Sequence, residues 1–425
     1  LYILENSNVE RNSINVFAKI SSAMMVDMAI LKDNSKETIV LQGHIDMVCN
    51  SIEPYDFKNN GIDWYIEDGM YKAKGTTLGA DNGIGCSIIL SILSNDNISI
   101  PNIEAIFTVQ EETTMLGAKR LDYSKITGNK IISIDGTEEG VIEVSSAGMT
   151  GIKILENVEY IDNSSDVYEI KISGLPGGHS GVDIDKHKGN AIKLMAEILY
   201  ELSDVCLVSI EGGKKDNVIP DECVCIISTS SKINVDKFYD NQPNSLKIDI
   251  KRGEKCAKVI SRSNSKRIIE FMHNLPIEVL SYKDKFPQTS LNLAKISTVQ
   301  NQIEISISIR SSNDKDEEKW INEVKKLSGT MNFKIDGEIP YFMYNEKSEI
   351  RDLLVSKYKE LYNKDVLLEH VHAGLEGGVF SQHIKNIDVC VIAPNLFDIH
   401  TPKEGVEIES VNRVYRWLIE VLKCI

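Results

Sequence analysis

No apolar run in this 425-residue sequence approaches the roughly 20 residues that a membrane-spanning helix needs. No signal peptide is visible, and the chain opens on Leu1 rather than Met, which reads as a trimmed or partial start. Positive charge is in deficit: 47 Lys and Arg stand against 63 Asp and Glu, a net charge of −16. That balance argues against nucleic acid and anionic membrane surfaces as partners, because both need clustered Lys and Arg. It suits a soluble enzyme or a site that binds cations. The eight cysteines are scattered, and the one close pair, Cys223 and Cys225, shares a face of a strand-like run. They read as reduced core cysteines of a cytoplasmic protein, not as a disulfide framework. There are no sequence repeats or low-complexity segments. What remains, 42% hydrophobic and 26% charged residues, is ordinary for a globular chain of two or three domains.

Along the chain, residues 1–36 carry no clean hydrophobic period. Clear signals begin at Thr38-Ile-Val-Leu-Gln-Gly, a buried strand ending at His44-Ile-Asp46. A polar excursion with hairpin character follows over 50–74. The stretch Gly75-Thr-Thr-Leu-Gly-Ala-Asp-Asn-Gly-Ile-Gly85 then leads into a helix-like run over 83–95. Buried strands beginning at Glu104 and Lys130 end at Glu111-Glu112 and Asp135-Gly136. Strands alternating with helices predict an α/β domain with a mostly parallel, helix-covered sheet. Near residue 148 the grain changes to alternating strands with helices on one side, and from about 344 the α/β style returns. The expected organisation is a catalytic domain split between 1–147 and 343–425, with an α+β lid inserted at 148–342.

His44, Asp81, Glu111, Glu112, Asp135 and His400 share a setting, since most follow the carboxyl end of a predicted strand, where open parallel sheets bind ligands. Each alone has an ordinary explanation: a surface His, a turn or helix-capping Asp, a solvated Glu pair. Together, two imidazoles and several carboxylates at one sheet edge make a metal site, because little else neutralises such a cluster. Asp46, two residues beyond His44, is placed to accept a hydrogen bond from the other ring nitrogen of His44. Adjacent glutamates point differently, so one can ligate while the other carries protons. Asp81, a carboxylate in a rigid glycine loop, suits a bridge between two metals.

The motifs Gln42-Gly-His-Ile-Asp-Met-Val, Gly79-Ala-Asp-Asn-Gly, Thr108-Val-Gln-Glu-Glu-Thr, Ser133-Ile-Asp, Gly177-Gly-His-Ser-Gly, Asn217-Val-Ile-Pro and Asp398-Ile-His-Thr-Pro occur in the order of the M20 metallopeptidases. His44-Ile-Asp-Met-Val-Cys, Ser290-Leu-Asn-Leu, Ser308-Ile-Arg-Ser-Ser and His372-Ala-Gly-Leu-Glu-Gly-Gly narrow the resemblance to the aminoacyl-histidine dipeptidases, the Xaa-His or carnosinase-like branch. It covers about residues 38 to 425. It implies that His44 and Asp135 complete one metal site, that Glu112 and His400 complete the other, and that Asp81 bridges them. Glu111 would be the general base and acid, with Asp46 orienting His44 and a cis peptide at Asp81–Asn82. His179 would hold the oxyanion, reaching across to the active site of a dimer partner. Asn217 and Arg310 would bind substrate, Arg310 as the fork for a terminal carboxylate, and Glu376 would contact the substrate amine. His187, His273, His370 and His383 read as surface or packing residues, whereas His372, inside a family motif, remains open to a substrate contact. The N-terminal helix that family members carry is not recognisable in residues 1–36, and the inserted domain resembles an enlarged lid with two α/β halves.

The resulting expectation is a cytoplasmic dipeptidase with two divalent metal ions, zinc with manganese or cobalt as alternatives. It acts on small unblocked peptides ending in His, contacts neither nucleic acid nor membrane, and forms a homodimer through the lid. The alternatives are another M20 amidohydrolase (a tripeptidase or a deacylase) and a truncated, inactive homologue that serves as a binding protein.

Overall fold

The computed structural model describes residues 37–95, 100–240, 242–283 and 285–425, together with the backbone of two short strands, Asn15–Val16 and Asp27–Leu31. The missing N-terminal helix therefore falls largely outside the described residues. The chain divides into two compact units. The first comprises Leu1–Ser146, Tyr341–His370 and Leu375–Ile425, and the second Ala147–Pro340 with Val371–Gly374.

The first unit is built on an eight-stranded sheet. Its order is Asn15–Val16, Asp27–Leu31, Asn102–Thr108, Thr38–His44, Lys130–Ser133, Asp388–Val391, Val141–Ser146 and Leu367–Val371. The four strands from Asn102–Thr108 to Asp388–Val391 run parallel. They read as continuous apolar runs because both faces are covered; Ile39, Leu41, Ile103, Ala105, Ile131 and Ile132 are fully buried. Asp27–Leu31 and Val141–Ser146 pair antiparallel on either side of this block. Helices Ala80–Leu93, Glu349–Tyr362 and Ile408–Leu422 contribute Ile88, Ile92, Leu354, Tyr358, Trp417 and Leu418 to one core. Trp417 is fully enclosed and donates its indole N–H to the Leu354 carbonyl at 2.9 Å, which removes the cost of burying that donor. The excursion over 50–74 does contain a hairpin, Trp64–Glu67 with Met70–Ala73. It joins Gly405–Glu407 and Leu396–Phe397 in a four-stranded sheet. The loop between those last two strands carries His400.

The second unit centres on a nine-stranded sheet whose neighbouring strands all pair antiparallel. Helices Ala191–Tyr200, Arg262–Asn274 and Asp314–Ser328 accompany it. The strands of the second unit join in one sheet, because Phe286–Val299 pairs with Cys206–Gly212 on one side, through Glu211 with Ser297 and Gly212 with Ile296, and with Gln302–Ser311 on the other. Gly148–Asn157, absent from the sequence reading, is one of its long strands and pairs with both Gln302–Ser311 and Asn332–Ile339. Asn190 caps its helix by accepting from the N–H groups of Ile192 and Lys193.

Candidate metal centre

Three parallel strands deliver the first half of the site. His44 ends Thr38–His44, Glu111 and Glu112 lie in the turn after Asn102–Thr108, and Asp135 lies two residues past Lys130–Ser133. Asp81 sits in the first turn of Ala80–Leu93, where Asp81 and Asn82 depart from helical angles and their peptide bond is cis. Asn82 is buried and donates from Nδ2 to the Ile134 carbonyl at 2.5 Å. A Cβ on Gly43 or on Gly85 would stand 2.4 Å from the Asn82 Oδ1, so both positions must lack a side chain. Gly79, at φ +75°, supplies the left-handed turn before the helix.

All five expected ligands converge. His44 Nε2 lies 3.1 Å from Asp81 Oδ1 and 3.2 Å from Asp135 Oδ1. His400 Nε2 lies 3.1 Å from Asp81 Oδ2 and 3.0 Å from Glu112 Oε2. The two oxygens of Asp81 thus address two different imidazoles. His44 donates from Nδ1 to the main-chain carbonyl of Asp46 at 2.9 Å, while the Asp46 carboxylate stands off at 3.6 Å. That carboxylate instead accepts from the N–H groups of Glu111 and Glu112, at 3.1 and 3.2 Å. Asp46 therefore meets His44 Nδ1 with its carbonyl and, more distantly, with its carboxylate, and the same carboxylate shapes the glutamate turn.

Among the described residues no Lys or Arg ion pair reaches Asp81, Glu111, Glu112 or Asp135; the positive charge comes from the imidazoles. Burial works against a charged His44, but the Asp135 carboxylate and hydrogen bonds to Asp135, Asp46 and Asp81 raise it far above the imidazole range. Hydrogen bonds to Asp81 and Glu112 raise His400 to about 10. Burial opposes ionisation of Asp81, yet His400 and His44 hold it below the carboxylate range. Burial, followed by the Asp135 charge, pushes Glu111 well above that range. A cluster that binds protons this strongly at its imidazoles has the electrostatics of a cation site. Imidazole and carboxylate donors suit a divalent metal, and ligand atoms of His44, Asp81 and Glu112 lie within 4.8 Å of one another. Cys86 stands apart from the candidate ligands: its Sγ–H donates a hydrogen bond to the His44 carbonyl at 3.1 Å, and burial pushes its thiol up to about 12.

Sequence reasoning missed three neighbours. Gln42 and Thr108 donate to Glu376 Oε2 at 2.6 and 2.5 Å. Glu376, expected to contact the substrate amine, begins the helix Glu376–His383 that the pattern over 376–384 predicts, and it is buried. Burial raises it to about 8, and its Oε1 has no hydrogen-bond partner. The third neighbour is Glu404, whose buried carboxylate accepts from the N–H groups of Leu78, Gly79 and Asp81. Nothing in residue type or spacing marked it, beyond its place four residues after His400.

The remaining candidates gather in the second unit. His179 and Val218 are paired on a two-stranded ribbon, and the Ser180 N–H donates to the Asn217 carbonyl at 2.9 Å. Arg310 is buried and donates from Nε to Ser180 Oγ at 3.4 Å; burial lowers it to about 10. His179 Nδ1 accepts from the N–H groups of Gly181 and Val182, each at 3.2 Å, which leaves the ring proton of the neutral form on Nε2. His372 Nε2 stands 2.8 Å from Ser290 Oγ, and burial together with Arg310 and His179 lowers it to about 3. His187 pairs with Glu278, while His273 and His383 stack on Tyr200 and Tyr123.

Comparison with known proteins adds a family to this geometry. The model of peptidase family M20/M25/M40 matches residues 40–423. The cytosol non-specific dipeptidase of Escherichia coli is 31% identical over 417 residues, covering 92% of this chain and 85% of that protein. The crystal structure of an aminoacylhistidine dipeptidase from Vibrio alginolyticus superposes with a TM-score of 0.80 at 26% identity, covering 97% of this chain and 90% of that one. Human carnosine dipeptidase 1, with a TM-score of 0.53 at 12% identity over 99% of this chain and 89% of its own, shares the fold.

Proposed function

The chain belongs to peptidase family M20/M25/M40 and is a metal-dependent dipeptidase, and from that premise we propose that it hydrolyses unblocked dipeptides ending in histidine at a two-cation centre. The observation that supports two cations is Asp81, which offers Oδ1 beside His44 and Oδ2 beside His400. Asp135 would complete the ligands on the His44 side and Glu112 those on the His400 side. Zinc is the assigned metal, with manganese and cobalt as substitutes that such donors accept. Bound divalent cations supply Lewis acidity toward a peptide carbonyl and water.

This chain's own residues then divide the work. Glu111 takes the proton of the attacking water and returns it to the leaving amine nitrogen; burial and the Asp135 charge suit its carboxyl to holding that proton. Asp46 keeps the glutamate turn and the His44 ring in place. His179, with its proton on Nε2, is assigned as donor to the developing oxyanion. Arg310, a buried guanidinium held by Ser180, is assigned with Asn217 to the substrate's terminal carboxylate. Glu376 is assigned to the substrate amine through its unpartnered Oε1. We place the protein in the cytoplasm and its homodimer contact on the second unit, whose nine-stranded sheet ends on Lys247–Arg252 and Asn332–Ile339; sedimentation as a monomer would discard that contact.

The Xaa-His preference draws support from the likeness to the Vibrio enzyme, and a broader dipeptide range from the likeness to the E. coli enzyme. Metal-free protein titrated with zinc, manganese or cobalt should regain hydrolysis of carnosine and Ala-His. It should leave a tripeptide and an N-acetyl amino acid intact. Equal turnover of Ala-Ala and Ala-His would favour the broader range, and cleavage of only the tripeptide or the acylated amino acid would overturn the dipeptidase assignment.

A further inference from the structure

Glu404 is a carboxylate with 2% of its surface exposed and no Lys, Arg or His ion pair among the described residues. Burying a charge this way is costly unless hydrogen bonds replace its water. Three main-chain donors do so: Leu78 and Gly79 to Oε2 at 2.8 and 3.0 Å, and Asp81 to Oε1 at 3.2 Å. These N–H groups belong to the turn that opens Ala80–Leu93, where donors have no helical partner. Glu404 therefore fixes the backbone from which the Asp81 side chain projects.

The other end of Glu404 is tied to His400. The Glu404 N–H donates to the Thr401 carbonyl at 3.1 Å, and the Thr401 N–H to the Asp398 carbonyl at 3.2 Å, a compact turn containing His400 at φ +64°. A second tie runs beside it: Asn50 Nδ2 donates to the His400 carbonyl at 3.4 Å, and the Thr77 N–H donates to the Asn50 carbonyl at 2.9 Å. Two hydrogen-bonded paths thus join the His400 turn to the backbone that carries Asp81.

We propose that Glu404 is a positioning residue that couples the two halves of the metal centre, so that a cation at the His400 side aligns Asp81 for a cation at the His44 side. This rests on the two-cation reading above. The coupling would be mechanical: Asp81 and His400 would hold the cation on their side, the turn they share through Glu404 would stiffen, and Asp81 Oδ1 would stay beside His44 as it does here. Glutamine at 404 keeps one acceptor oxygen but sets an amide NH2 where the third donor needs an acceptor. Alanine leaves all three donors without partners.

The test uses full-length metal-free protein, titrated calorimetrically with manganese chloride, and the variants E404Q and E404A. Wild-type protein should bind two ions with positive coupling. E404Q should bind each ion about tenfold more weakly and lose the coupling, and E404A should lose more. Amide exchange in the metal-free state supplies an independent readout. The amide of Asp81 should lose protection in E404Q, and those of Leu78, Gly79 and Asp81 in E404A, while those of Ile88–Leu93 keep theirs. If E404A does not fold, E404Q alone decides. Unchanged affinity at both sites, or weakening confined to one site, overturns the proposal even if the variants melt earlier. Wild-type protein that binds a single ion overturns the two-cation reading, and the coupling falls with it.

Discussion

Glu143 offers a stability experiment whose sign and size follow from one buried carboxyl. It lies on Val141–Ser146, paired with Val391, and its Oε2 is enclosed without a hydrogen-bond partner. Burial, then the charges of Glu369 and Asp135, raises it from 4.5 to about 8. The folded protein therefore keeps this proton where the unfolded chain releases it. The stabilisation is fully present below pH 4.5, declines as the pH rises toward 8, and is gone above that. At 1.36 kcal/mol per unit the whole span corresponds to about 5 kcal/mol, and relaxation around the site reduces that to about 2–4 kcal/mol. Glu143→Gln removes the titration and keeps the shape. Urea unfolding should show the variant gaining about 2–4 kcal/mol relative to wild type between pH 5 and pH 9. Taking the difference between two pH values cancels any proton-independent cost of the amide. Because burial is the leading cause and Asp135 the last, the gain should persist with saturating metal as well as without it. Parallel wild-type and variant stability curves across pH 5–9 would refute the reasoning.

Glu111→Gln should bind metal at wild-type affinity and lose about 10²–10⁴-fold in kcat, measured by dipeptide hydrolysis; near-normal turnover would remove its proton-carrying role. Asp81→Ala should lose both ions in a metal analysis after dialysis, whereas His44→Ala should weaken one site more than the other, because among the described residues only Asp81 faces both imidazoles. Trp417→Ala deletes the largest fully buried side chain together with its bond to Leu354, and should cost about 3–5 kcal/mol in chemical unfolding. A cost under about 1 kcal/mol would mean that the helical layer repacks freely.

The parallel block was legible because strands buried on both faces are unbroken apolar runs, and four of the candidate residues are read directly off the ends of such runs. His44 and Asp135 needed no more than that. The second unit was less legible where strands carry polar residues on one face. Gly148–Asn157 alternates buried and accessible positions, but Gly148, Gly151 and the buried Glu156 blur the apolar pattern; Glu156 is satisfied there by Asn264 and Arg267. The continuity of the nine-stranded sheet depends on pairings between distant strands, which no local period encodes. The role of Glu404, and the hold of Asp46 on the glutamate turn, were illegible for a related reason. Both act by accepting main-chain N–H groups, and a backbone donor leaves no mark in the choice of side chain. The helix that Glu376 opens was legible over 376–384, but the burial of its carboxyl was not: a Cβ on Gly377 would stand 3.0 Å from Phe342 and Val389, a closeness of packing that no local pattern encodes.

The strand order of the first unit also sets a timetable. Asp388–Val391 lies between Lys130–Ser133 and Val141–Ser146, two strands separated in sequence by a single short loop. On a ribosome, the early strands must wait with an open seam while the whole second unit is made. That unit is almost wholly contiguous and needs only the four residues Val371–Gly374 from later in the chain. The inserted unit should therefore gain protease resistance first, and the metal centre last, when the strand that closes the seam and the turn bearing His400 have both emerged. Metal retention is thus a late report on the integrity of the chain, and a nascent chain stalled before residue 388 would carry four of the five candidate ligands beside a sheet it cannot close.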